Sequence, residues 1–150
     1  MNRAWLGIPL ALSLHALACA PSRPDGTWDD ARLVATLESG DDDSRRRAAV
    51  LLAGRRTPAS LWPLTKALGD PRWEVRVAAV EGLERLQDPR ADRSILAAAR
   101  DGHWWVQTTA LKALARRRPP GTANAARLAS NSDNDAVRAA GRRLAAAVGI

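Results

Sequence analysis

Few side chains in this sequence have the type and spacing that catalysis or metal binding requires. His103 closely follows Asp101, and the only other histidine, His15, lies in an apolar stretch near the N-terminus. A metal site needs several ligands of matched type, and no Ser–His–Asp set or glycine-rich phosphate loop accompanies His103. The sequence therefore predicts no catalytic residue, no bound metal and no cofactor.

Cys19 is the only cysteine, which excludes an internal disulfide and draws attention to the segment before it. Arg3 supplies a positive start, and residues 4–17 form an almost wholly apolar run. That run is shorter than the roughly 20 residues of a membrane-spanning helix. We therefore predict a signal peptide over residues 1–18, which takes no part in the fold.

The end of this leader, Ala16-Leu17-Ala18-Cys19, resembles the lipobox of bacterial lipoproteins. The resemblance implies that Cys19 is lipidated and that the protein is anchored to a membrane in the periplasm, with Ala20 slightly favouring the outer membrane. Ala16 departs from the pattern, because these proteins usually carry Leu there. Since Ala16 and Ala18 also fit ordinary signal cleavage, a secreted or soluble periplasmic protein is the alternative.

Composition separates a short tether from one folded domain. Residues 19–27 contain Pro, Ser and Gly and little to bury, which predicts a tether, and residues 28–150 have the length of a single domain. The chain has a net charge of +7 and contains neither Phe nor Tyr. Its core must be built from Ala, Leu, Val and Ile, which suit closely packed helices.

A repeat of 31 residues organises this domain. The matching columns are Val75, Val106 and Val137; Ala79, Ala110 and Gly141, with Ala49 one residue out of register; Leu33, Leu64, Ile95 and Ala126; and Leu37, Leu68, Ala99 and Ser130. Apolar residues within a unit follow helical spacing. We predict four helix pairs: 28–39 with 43–54, 58–68 with 71–86, 89–100 with 103–116, and 122–130 with 134–147. Such pairs bury their apolar faces only by stacking.

Capping residues and glycines mark the predicted helix ends. Thr57, Asp70 and Asp88 each precede a proline, which predicts an N-cap followed by Pro at the first helical position. Thr27 is a weaker capping residue for the first helix. Gly40 and Gly69 are the predicted stops.

Residues 70–83 resemble the second-helix signature of HEAT repeats, especially the short phycobilisome-lyase-like type. The resemblance covers residues 28–147 and implies an all-α fold, a short right-handed α-solenoid of about four helix pairs. It also implies a hydrogen-bonded ladder between units, which by position falls on Asp70, Arg76, Asp101 and Arg138, with Gln107 in place of one arginine. Unit one looks degenerate, with Arg45 at the place of the valine. No lyase activity follows from the fold.

The tryptophans are the first candidates for binding. Trp73 and Trp104 are 31 residues apart and begin successive second helices, with Trp105 adding bulk beside them. We expect Trp73 and Trp104 to lie outside the core, either stacked along one edge as an anchor for a partner or folded over the turns within units to cover helix ends. Trp28 and Trp62 lie in first helices, and we interpret both as packing or capping residues.

A basic stripe on the second helices is the other candidate. Arg85, Lys112 and Arg116 are expected on the concave face, on a stripe that also includes Thr108 and Glu81. Further arginines extend it into a mostly basic face: Arg46, Arg47, Arg55, Arg142 and Arg143. This face is either a site for an acidic or anionic partner or an arginine-rich surface that only contacts solvent. From both surfaces we predict a non-catalytic protein–protein interaction scaffold in the bacterial cell envelope, anchored through Cys19, with no nucleic acid or small-molecule substrate. The alternatives are a soluble periplasmic binder of an anionic ligand and, less favoured, a HEAT-like nucleic-acid-binding protein or lyase-type enzyme.

Overall fold

The computed structural model describes residues 25–150, which form four helix pairs and, within that range, no strand. The helices are α1 (Asp30–Ser39), α2 (Asp42–Arg55), α3 (Leu61–Ala67, after a 3₁₀ turn at Pro58–Ser60), α4 (Trp73–Leu86), α5 (Ala91–Ala98), α6 (Trp104–Arg117), α7 (Thr122–Ser130) and α8 (Asp135–Val148). The prediction of an all-α solenoid of four helix pairs is confirmed. The predicted signal peptide, Cys19 and most of the tether lie outside the described residues.

The second helix of each unit packs directly on the second helix of the next, so that α2, α4, α6 and α8 form one continuous layer. The column Leu33, Leu64, Ile95 and Ala126 is completely buried, and Val75, Val106 and Val137 expose 2% or less. Neighbouring units therefore share one core, because no single helix pair encloses these side chains.

Small residues allow this close packing. A Cβ atom at Gly141 would lie 2.5 Å from the backbone nitrogen of Ser130 and 2.6 Å from the carbonyl carbon of Ala129. Since both contacts are with backbone, α7 and α8 touch at a place that only glycine fits. The residue in register with Gly141 in unit one is Ala48, which is completely buried, as is Ala49.

The predicted helix starts at Asp70 and Asp88 are wrong by two residues. The Asp70 carboxylate accepts a hydrogen bond of 2.9 Å from the backbone N–H of Arg72, and Asp88 accepts one of 2.9 Å from that of Arg90. Each aspartate thus forms a turn with the residue two places on, and the helix begins only after that turn. The N-cap of α1 is Asp29, not Thr27, and it accepts 2.7 Å from the N–H of Arg32.

The second helices end in a shared backbone conformation. Arg56, Gln87, Arg118 and Gly149, which are 31 residues apart in turn, have φ of 54°, 53°, 50° and 77°. This left-handed conformation ends a helix and favours glycine. Three of the four positions nevertheless carry a residue with a Cβ atom.

Candidate functional site

The solenoid has two edges with different chemistry. One edge contains the connection between the two helices of each unit, together with the start of the second helix. We call it the turn edge (residues 40–45, 69–76, 100–107 and 131–138). The connections between units, with the helical turns on either side, are the loop edge (residues 52–64, 83–94 and 114–125). The turn edge carries eight carboxylates and five arginines, whereas the loop edge carries eight arginines and three carboxylates.

Four aromatic rings form one cluster on the turn edge. Trp73 stacks on His103 with ring centroids 4.6 Å apart and planes 3° from parallel. Trp105 lies 5.8 Å from Trp73 and 5.2 Å from Trp104, and His103 lies 6.0 Å from Trp104. Trp104 and Trp105 expose 41% and 47% of their surface, so two indoles face solvent side by side. We call these four residues the aromatic cluster.

His103 holds the cluster in place from beneath. It is the N-cap of α6, and its Nδ1 accepts a hydrogen bond of 3.3 Å from the backbone N–H of Trp105. The backbone N–H of His103 donates a hydrogen bond of 2.8 Å to the Asp101 carboxylate. Because Nδ1 is an acceptor, the neutral ring carries its proton on Nε2. Trp73 is half-buried against the core, so the base of the cluster is packed and its outer face is open.

This arrangement differs from the stack expected between Trp73 and Trp104. Trp73 stacks on His103 instead, and it is part of the packed interior rather than a second exposed anchor. His103 was expected to have no catalytic or metal-binding partner. Its place at the start of the predicted helix 103–116 was the available signal, because the N-cap residue lies at that boundary.

The two tryptophans predicted to lie in first helices behave differently, and Trp28 precedes α1 rather than lying in it. Trp28 is 7% exposed, and the Arg32 guanidinium lies 3.6 Å from its ring centre, so its packing role is confirmed. Trp62 is 72% exposed, so the packing interpretation is wrong for it. It lies in the first turn of α3, where its side chain points away from the core.

Arginine–aspartate pairs connect successive units along the turn edge. Arg45 Nε donates to Asp70 at 2.8 Å, and Arg76 donates twice to Asp101, from Nε and Nη2, at 2.8 Å each. The Asp101 carboxylate raises the pKa of the Arg76 guanidinium. The Arg of one unit thus reaches the Asp of the next. Arg45 is in register with Arg76, so the placement of Arg45 at the valine position was wrong.

The ladder has no charged rung between units three and four. Gln107 stands where the arginine would be, and its side-chain amide bonds back to the carbonyl of Asp101. Ser132 stands where the next aspartate would be, and its carbonyl accepts 2.6 Å from Arg138. Arg138 also pairs with Asp135 in its own helix. Both partners of this rung are uncharged, so neither is left as an unpaired buried ion.

The basic stripe is interrupted by pairing. Arg116 bonds to Glu84 at 2.6 Å, and Arg85 lies 3.7 Å from Glu81. Thr108, expected on the stripe, is 8% exposed and donates to the Trp105 carbonyl at 3.0 Å. Lys112 is exposed and makes no ion pair within residues 25–150. Of these three basic side chains, only Lys112 has no ion-pair partner within residues 25–150.

A cleft of about 370 Å³ opens between units one and two beside the turn edge. Its polar lining is the Arg45–Asp70 pair and, at the rim, Lys66 and Glu38, which bond to each other at 2.7 Å. These charges already satisfy one another. Over the residues that the structure describes, no group of three or more His, Cys, Asp or Glu side chains is placed to hold a metal ion. No helix in that part is long and apolar enough to cross a membrane.

Comparison with known proteins supports the architecture. Residues 31–101 match the family model of HEAT repeats. Among solved structures, human deoxyhypusine hydroxylase in complex with glycerol is similar with a TM-score of 0.69 at 20% identity, over 86% of this chain and 46% of that chain. The chain thus spans less than half of that protein, and the likeness concerns the fold alone. No curated protein matches the sequence. The chain is a short α-solenoid, and its residues 31–101 are similar to HEAT repeats.

Proposed function

We propose that this protein is a non-catalytic scaffold that binds a protein partner through the aromatic cluster on its turn edge. The supporting observation is that Trp104 and Trp105 are both more than 40% exposed while their base is fixed by the Trp73–His103 stack. Rigid, exposed indoles lose little conformational freedom on binding and bury a large area, so they are common binding anchors.

The proposal places the scaffold in the bacterial cell envelope, anchored by a lipid on Cys19. Its support is the lipobox-like end of the leader, the position of the sole cysteine there, and the short segment between that cysteine and the first described residue. Metabolic labelling with a radioactive fatty acid tests the anchor, with Cys19→Ser as the matched control. Equal labelling of both chains, or none, would reject it.

Partner binding is tested by crosslinking in intact cells, followed by purification in detergent. Wild type is compared with Trp104→Ala/Trp105→Ala and with Trp62→Ala, which removes an equally large exposed indole far from the cluster. We expect partners to be recovered with wild type and Trp62→Ala but lost with the double variant. Equal recovery with all three chains would reject the aromatic cluster as the binding site.

The absence of catalysis is part of the same proposal. The cleft between units one and two is lined by charges that are already paired with each other, and no metal-ligand group is found in residues 25–150. Metal-dependent hydrolysis and oxidation are tested by assaying the purified protein with added iron, zinc or manganese. A metal-dependent turnover that Arg45→Ala or Asp70→Ala abolishes would overturn this part of the proposal.

A further inference from the structure

Trp62 is an exposed aromatic residue outside the aromatic cluster. It exposes 72% of its surface, more than either Trp104 or Trp105, and lies on the loop edge rather than the turn edge. No aromatic ring or cation of residues 25–150 packs on its indole. An indole this exposed favours an environment that is partly apolar and partly wet.

Arginines without an ion pair share the loop edge with Trp62. Arg93 occupies the same position in the next first helix, 31 residues on, and adjacent helices lie about 8–10 Å apart. Arg56 and Arg118 end the second helices of units one and three. These three arginines are exposed and make no ion pair within residues 25–150, unlike Arg90, Arg116 and Arg117, which are paired.

Helix dipoles do not account for all of this charge. Basic residues are favourable at helix C-termini, which explains Arg56 and Arg118. Arg93 lies instead in the first turn of α5, where the dipole favours an acid. Its charge is therefore not explained by helix stability and is available for an external anion.

The chain also enters the fold at this edge. Arg55, in the last turn of α2, donates to the backbone carbonyls of Gly26 and Trp28, which ties the segment before α1 to the loop edge. Five residues separate Cys19 from Asp25, and the six steps between them span at most about 20 Å. A lipid on Cys19, which is part of the proposed function, would keep Asp25, where the chain enters the fold beside Arg55 of the loop edge, within that distance of a bilayer.

We propose that the loop edge is a membrane-facing surface that binds anionic phospholipids. Trp62 lies at the level of the headgroups, where indoles are favoured, and Arg56, Arg93 and Arg118 contact lipid phosphates. The turn edge, on the opposite side of the solenoid, then faces away from the membrane. The aromatic cluster is thereby presented to a partner and not to lipid.

The test uses the full chain with Cys19→Ser, so that no lipid anchor contributes. A polarity-sensitive dye is attached at Ala59→Cys, beside Trp62 on the loop edge, or at Ala136→Cys on the turn edge; both alanines are exposed. The probes are phosphatidylcholine vesicles with or without about one-third phosphatidylglycerol. We expect a blue shift only at position 59, only with anionic vesicles, and reversed by raising the salt concentration from about 0.1 to about 1 M.

Charge variants complete the test. Arg56→Glu/Arg93→Glu should weaken partitioning to anionic vesicles by roughly tenfold or more, and Trp62→Ala should reduce the blue shift. The matched control, Arg46→Glu/Arg100→Glu, reverses two exposed arginines at or beside the turn edge and should leave partitioning nearly unchanged. Equal shifts at both dye positions, no shift with anionic vesicles, or equal effects of the two double reversals would overturn the proposal. A failure of lipidation or of partner capture leaves this result unaffected, because every sample lacks Cys19 and the capture is purified in detergent.

Discussion

The indole of Trp73 lies face to face with the imidazole of His103, with ring centroids 4.6 Å apart. The two residues belong to adjacent units, so this stack crosses the boundary between them. His103 also caps α6 and accepts a hydrogen bond from the N–H of Trp105. The position of the exposed indoles in unit three is therefore fixed by a contact from unit two.

The aromatic cluster should separate into a structural half and a binding half. Trp73→Ala should lower the free energy of unfolding by about 2 kcal/mol, since a half-buried indole loses part of the 3–5 kcal/mol of a fully buried one. Trp104→Ala/Trp105→Ala should change it by less than about 1 kcal/mol. Urea denaturation followed by circular dichroism measures both. A similar loss in the two variants would mean that all three tryptophans are structural.

The Arg76–Asp101 pair should stabilise the array far more than a surface pair does. Their side chains are 15% and 13% exposed, so Arg76→Ala leaves an almost buried carboxylate without its cation and should cost about 2–3 kcal/mol. A double-mutant cycle measures the coupling. Arg116–Glu84, whose arginine is 68% exposed, is the control, with an expected coupling below about 1 kcal/mol. Equal coupling in the two cycles would contradict the ladder's structural role.

Two substitutions should convert the uncharged rung between units three and four into an ion pair. Gln107→Arg with Ser132→Asp reproduces the positions of Arg76 and Asp101 one unit later, and it should raise the free energy of unfolding by about 1 kcal/mol. Each single substitution adds one unpaired charge and should be neutral or destabilising. Denaturant titration of the three variants checks this, and additive effects would show that no rung has formed.

Glycine should stabilise the helix ends that have positive φ. Gln87→Gly removes a left-handed strain of about 1–2 kcal/mol, partly offset by the greater freedom of glycine in the unfolded chain, for a net gain of about 0.5–1 kcal/mol. Gln87→Ala keeps the Cβ atom and is the control. Thermal melting compares them; a gain with alanine equal to that with glycine would assign the effect to loss of the glutamine side chain.

Acid should remove the contribution of the Asp88 carboxylate to the stability of the fold. Hydrogen bonds from the Arg90 side chain and backbone hold the pKa of the Asp88 carboxyl below its usual value of 3.8. A depressed folded-state pKa gives stability that is present above 3.8 and is lost as the pH falls through the folded value. Asp88→Asn keeps the turn but removes the charge. Its melting temperature should be lower than that of wild type at pH ~7, and the difference should shrink as pH falls below 3.8; a constant difference would contradict this.

The helix pairs and their shared core could be predicted because burial repeats with the sequence. The column Leu33, Leu64, Ile95 and Ala126 keeps its period whatever the surface residues do, and all four are completely buried. The helix starts were harder to predict. An aspartate before proline can either cap a helix directly or form a turn from which the helix starts two residues later. At Asp70, the hydrogen bond from the N–H of Arg72 shows that it forms the turn.

The contacts between side chains could not be predicted from the sequence, for physical reasons. Trp73 reaches both His103 and Trp105, and neither contact follows from a 31-residue spacing, which pairs Trp73 with Trp104. The left-handed backbone at Arg56 and Gln87 could not be predicted, because neither residue is glycine, although the helix ends predicted at residues 54 and 86 lie within one residue of the observed ends. The exposure of Trp62 could have been predicted, because Leu64 belongs to the buried column and residues two apart lie on nearly opposite sides of a helix.

The missing charged rung divides the array into parts that should open separately. Units one to three are joined by Arg45–Asp70 and Arg76–Asp101, whereas Gln107 and Ser132 join no ions between units three and four. In a linear array, each unit is held mainly by its neighbours, so the weakest boundary sets where partial unfolding begins. Backbone amides of α7 and α8 should therefore exchange with deuterium before those of α4. The unit farthest from the N-terminus would then be the first to unfold, while the aromatic cluster in units two and three stays assembled.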